Sequence, residues 1–145
     1  MASDRYNIEA LIKAWIETSD VFDGIAVEHY DSTQDTVPNK NRVFVQCGEP
    51  EPLAGPINNS GAVKVWKAAC SIVMLVGGRN PETLDSWEAE IGSLFSSAAP
   101  SSVQTLAETL FPNGIEAGPV NSGSRQGEGN RVYRCAKTLE MIFCP

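Results

Sequence analysis

Apolar residues return at helical spacing near the start of this chain. Ile8, Leu11, Ile12, Trp15 and Ile16 fall at i, i+3, i+4, i+7 and i+8, which predicts one apolar face on a helix from about Ile8 to Asp20. Asn7 suits its cap, and Tyr6 suits a hydrophobic staple onto Leu11. Asp23-Gly24 reads as a turn, and Ile25–Tyr30 as a short strand. Arg42–Cys47 alternates, with Val43 and Val45 on one side and Phe44 on the other, and predicts a second strand.

Ala62–Val76 is the longest strand candidate. Its first half alternates with Lys64 and Lys67; its second half is apolar on both faces, as a covered strand is. A bulge near Ala68-Ala69, or an overhang past the core, accounts for its length. Gly77-Gly78-Arg79 is a turn, Asn80 a cap and Pro81 a first helical residue. Leu84, Trp87, Ile91, Leu94 and Phe95 then form a helical stripe, with Glu82, Asp85, Glu88 and Glu90 mostly outside it. Val103–Phe111 reads as a short third helix. Arg131–Cys144 closes the chain as a strand, with Tyr133, Cys135, Leu139, Met141 and Phe143 on one face and Arg134, Thr138 and Glu140 on the other.

Two polar excursions interrupt these elements. Asp31–Gly61 and Pro112–Asn130 together hold six of the nine prolines and eight of the twelve glycines. Proline cannot donate to a sheet ladder, so Glu49-Pro50-Glu51-Pro52 reads as an extended arm leaving the sheet. The second excursion is glycine-rich and reads as a flexible loop that orders on assembly. The expected architecture is one α+β domain over residues 1–145: a small mixed sheet of about four strands, two main helices packed on one face, and long loops. A right-handed crossover from Ala62 to Cys144 is expected to set its two long strands parallel.

Charge and composition narrow the function. The formal net charge of −7 repels phosphate backbones and anionic membranes, which argues against wrapping nucleic acid or docking on lipid. No basic and apolar leader opens the sequence, so it does not read as a secretory signal. On that reading Cys47, Cys70, Cys135 and Cys144 are reduced thiols.

No motif carries chemistry. His29, beside Glu28 and Asp31, is the only imidazole, and no serine sits in G-x-S-x-G. A surface histidine at a strand end is the simpler reading. No C-x-x-C or H-E-x-x-H spacing points to a metal, and no cofactor is expected. Gly77-Gly78 has the topology of a phosphate-binding turn but lacks its lysine, so turn geometry explains it. The acidic helix positions can act as an acid–base pair or hold a cation, although a solvated face beside the helix dipole is the commoner arrangement. Arg42, Phe44, Lys64, Trp66, Lys67, Arg125, Arg131 and Arg134 are the candidates for contact with a neighbouring subunit or partner; tryptophan is enriched at interface hot spots.

The layout resembles the tail terminator proteins of bacteriophages, the minor tail protein U-like group, and related neck and tail-completion proteins. Three features carry the resemblance: the amphipathic helix Ile8–Asp20 ending in Phe22-Asp23-Gly24; the long strand Ala62–Val76 turning through Gly77-Gly78-Arg79 into the helix Pro81–Ser97; and the C-terminal strand Arg131–Phe143. The resemblance implies a virion protein, assembled in the host cytoplasm, that closes into a ring, usually a hexamer. Such a ring caps the tail tube and meets the head-side connector. DNA passes through its lumen without specific binding, and the excursions reach neighbouring subunits. A small cytosolic enzyme or ligand-binding domain, or a non-viral adaptor, is the alternative.

Overall fold

The computed structural model describes residues 4–29, 41–52, 65–77, 81–128 and 132–144. Helix α1 (Asp4–Glu17) buries Ile8, Leu11, Ile12, Trp15 and Ile16, the five residues of the apolar stripe. It starts before the expected Asn7 cap, so Tyr6 lies within the helix. Its ring stacks on His29 at 4.6 Å instead of stapling Leu11. The helix ends where Thr18 Oγ1 donates to the Trp15 carbonyl. Ser19 then caps a 3₁₀ turn, Asp20–Phe22, by accepting from the Val21 N–H. Gly24 turns the chain at φ +77°, where a side chain would be strained.

Six strands form one sheet: β1 (Ala26–His29), β2 (Arg42–Cys47), β3 (Glu51–Pro52), β4 (Trp66–Gly77), β5 (Ile115–Glu128) and β6 (Val132–Phe143). Their order is β1-β2-β4-β6-β5, with β3 pairing β4 off this path. The β1–β2 pair is parallel and the remaining pairs are antiparallel. Helices α2 (Pro81–Ser96) and α3 (Ser101–Leu110) complete the element order. The mixed α+β class is as expected; the described residues form six strands rather than about four, and three α-helices, the short third one among them.

Alternation assigns the two faces. Val43, Val45 and Cys47 of β2, Ala68, Cys70, Ile72, Met74 and Val76 of β4, and Cys135, Leu139, Met141 and Phe143 of β6 share one core with the buried residues of all three helices. On the opposite face Phe44, Val73 and Leu75 form a smaller buried cluster against Ala136. This explains why β4 is apolar on both sides.

Four expectations are corrected. First, β4 and β6 run antiparallel in an unbroken ladder from Trp66↔Phe143 to Gly77↔Val132. The helical crossover does deliver a strand running in the direction of β4, but that strand is β5. Strand β6 returns between them, because a tight hairpin reversal is shorter than a second crossover. Second, β4 carries no bulge at Ala68-Ala69; Lys64 lies outside the described residues.

Third, the glycine-rich stretch expected as a loop is, over Ile115–Glu128, the edge strand β5, paired with β6. Register shifts between Ala117/Val120 and Asn121/Ser124 absorb Gly118-Pro119 and Ser122-Gly123. Pairing along β6 outweighs the weak intrinsic strand preference of glycine and serine. Fourth, part of the expected arm rejoins the sheet, with Glu51↔Lys67 and Pro52↔Trp66 in register. No helix among the described residues is long and apolar enough to cross a membrane.

Candidate functional site

Two places concentrate polar groups against the core. The first lies where β1 ends. His29 pairs with Val45, so β2 continues past its parallel neighbour by two residues. The backbone of Cys47 points away from β4, since the next ladder bond there is Gly48 N–H to the Ala69 carbonyl, at 2.8 Å. Side chains from α1 reach this backbone. The Cys47 N–H donates to Glu9 Oε2 at 2.9 Å, and Arg5 Nε donates to the Cys47 carbonyl at 2.7 Å. Arg5 and Glu9 stand one turn apart and reach the same residue.

The other oxygen of Glu9, Oε1, sits 2.8 Å from His29 Nδ1. Tyr6 covers the imidazole with its ring planes 8° apart. Thus His29 is half-buried and held from two sides, not a free surface side chain. Cys47 faces Cys70 across the ladder, and both are fully buried free thiols. The hydrogen bond with Cys70 and then burial push the Cys47 thiol well above its usual range, so it stays protonated. The cluster therefore orients an imidazole but supplies no activated thiol. Its chemistry is that of a clamp between α1, β1 and β2.

The second place is a cavity of about 520 Å³ at the root of the β5–β6 hairpin. Leu11 and Trp15 of α1, Phe95 of α2, Val103 of α3 and Met141 of β6 supply apolar walls. Gln104, Glu108 and Glu116 stand among its lining residues, and none of those residues is basic. The turn from α3 into β5 shapes one end. Phe111 N–H donates to the Ala107 carbonyl at 2.8 Å, and Cys144 N–H to the Gly114 carbonyl at 3.0 Å. Gly114 holds φ +110° there. Trp15 packs on Phe95 with ring centroids 4.6 Å apart. Its indole N–H is buried and has no hydrogen-bond acceptor among the described residues. A size near 500 Å³ with apolar walls and few polar groups suits a bound side chain or small molecule.

Of the eight residues expected at interfaces, the six that are described lie at several places on the sheet. Arg42 and Arg134 flank Leu75 on the face away from the helices, on β2 and β6. Phe44 is fully buried on that face rather than presented at the surface. Trp66 is half-buried and packs against the main core. Lys67 pairs with Glu51 of β3 at 3.8 Å. Arg125 lies in β5 opposite Cys135. Lys64 and Arg131 lie outside the described residues.

The acidic positions on α2 do not converge either. Glu82 and Asp85 are exposed, while Glu90 accepts from the Ser19 hydroxyl and joins α2 to the 3₁₀ turn. No cluster of three or more His, Cys, Asp or Glu suited to a metal is present among the described residues.

Sequence reasoning missed Glu9, Arg5 and the cavity. The Arg5–Glu9 spacing is visible along α1, but nothing local connects it to a residue 38 positions beyond Glu9. Comparison with known protein families and with curated protein sequences found no match for this chain.

Proposed function

We propose that this chain is a structural part of a virion, a ring-forming protein that caps the head-proximal end of a phage tail tube and joins it to the neck connector. The observation that carries the reading is the long β5–β6 hairpin at the sheet margin, fourteen residues in its outer strand, with a cavity at its root. An outer strand of that length offers unpaired backbone to a neighbour. The element order, the net charge of −7 and the resemblance drawn from the sequence support the same role. On this reading self-association closes a ring, a hexamer in the family it resembles, and an acidic lumen lets DNA pass without holding it. The role is assembly and not catalysis.

Native mass spectrometry and negative-stain imaging of the purified protein, alone and with tail tubes, test it. Rings that sit on tube ends are expected. A strict monomer that ignores tubes would overturn the proposal.

A second reading, a ligand-binding α+β domain, draws on the cavity of about 520 Å³. Strong thermal stabilisation by a small metabolite, lost on Trp15→Ala, would favour it over the ring.

A further inference from the structure

We infer that the cavity at the root of the β5–β6 hairpin binds a small organic cation, a primary ammonium carried on an apolar body. The inference rests on the ligand-binding reading, names its ligand class, and is independent of ring formation.

The walls argue for the apolar body. Leu11 and Trp15 of α1, Phe95 of α2, Val103 of α3 and Met141 of β6 enclose one volume of about 520 Å³. All five belong to the main core, so the walls are fixed before anything enters. The volume falls in the range of small-molecule pockets. Each methylene that such walls take out of water is worth about fourfold in affinity.

The polar lining decides the sign of the head group. The Ser96 and Ser97 hydroxyls donate to the Ser93 carbonyl at 3.1 and 2.9 Å, and the Gln104 amide nitrogen to the Ala99 carbonyl at 2.7 Å. These donors are turned toward their own chain. The Trp15 indole nitrogen is sealed off and meets no ligand. The charged groups that remain are the carboxylates of Glu108 and Glu116. They come from different elements, α3 and β5, which the turn at Gly114 joins beside one cavity.

No lysine or arginine among the described lining residues competes for those carboxylates. An anionic ligand would meet repulsion there, and an alcohol brings no charge to pair. An ammonium brings three donors and the opposite sign. Glu108 and Glu116 are exposed, so they stand at the mouth of the cavity. A head group held by them stays partly hydrated while the body is buried, as amphipathic side chains do. Exposure also screens the pairing, which limits the gain from charge to about tenfold for both carboxylates together.

The test is an NMR titration of the full chain with three probes of one shape: 4-phenylbutylamine, 4-phenylbutanol and 4-phenylbutyrate. The amine is expected to shift the backbone amides of residues 114–117 and of Met141, which line the cavity. It should bind about tenfold tighter than the alcohol, and the carboxylate should bind weakest. Shortening the amine by one methylene should weaken it about fourfold. Glu108→Gln with Glu116→Gln should bring the amine down to the affinity of the alcohol, with the circular dichroism spectrum unchanged. Added salt should narrow the same gap.

If amine and alcohol bind the cavity equally well, selection of a cation is wrong while the ligand-binding reading stands. The same holds if the double variant keeps the tenfold preference. If no probe moves these amides at millimolar concentration, the cavity takes no such ligand and both readings fail. Ring formation is read separately by native mass spectrometry, so none of these outcomes depends on it.

Discussion

Where β2 runs past the end of β1, the N–H and carbonyl of Cys47 are taken by Glu9 and Arg5 of α1. On the other side of the sheet β5 is the last strand in the order, and no such cover is present there among the described residues. At Cys47 side chains of the same molecule take the backbone groups, so a partner gains little by approaching there. Among the described residues no strand lies beyond β5, and an apolar hollow lies at its root. The bulges around Gly118-Pro119 and Ser122-Gly123 break its regularity, which discourages indiscriminate strand pairing while leaving room for a specific neighbour.

The comparison breaks most directly at Glu9. Glu9→Ala leaves the Cys47 N–H without its acceptor and is expected to cost about 3 kcal/mol in urea unfolding. Glu9→Gln keeps an acceptor and should lose clearly less. Equal losses would mean that the carboxylate does not pin this margin.

A smaller effect is expected where the open margin begins. Gly114→Ala forces a side chain into φ +110° and should cost about 2 kcal/mol in thermal unfolding. Gly118→Ala places a Cβ 3.1 Å from the Glu140 carbonyl oxygen. It should cost about 1 kcal/mol and speed hydrogen exchange at the paired positions near Ala117 and Met141. Unchanged exchange would show that this bulge tolerates a side chain and does not depend on glycine.

The smallest effect sharpens the contrast. Glu108→Lys and Glu116→Lys touch exposed side chains and should change stability by no more than about 0.5 kcal/mol. A loss near that of Glu9→Ala would show that the open margin is held internally after all.

Much of the pinned half was legible in the amino-acid order. The spacing of Ile8, Leu11, Ile12, Trp15 and Ile16 marked the buried face of α1, and the limits of β2 followed from the alternation in Arg42–Cys47. The open half was not legible in the same way. Residues 115–128 carry three glycines, two serines and a proline, so local preference argues against a strand. They become one because β6 supplies a partner along most of their length, with the misfits collected into two bulges.

By itself the sequence determined which faces are apolar and that the chain is acidic overall. These follow from periodicity and composition, which are local and additive. Tertiary structure decided that β6 runs antiparallel to β4, that Glu9 and Arg5 clip Cys47, and that Trp15 and Met141 wall the same cavity. Each joins residues far apart in the chain. Such contacts form only when long-range pairing and core burial together outweigh the entropy of closing the intervening loops, and no local pattern records that balance.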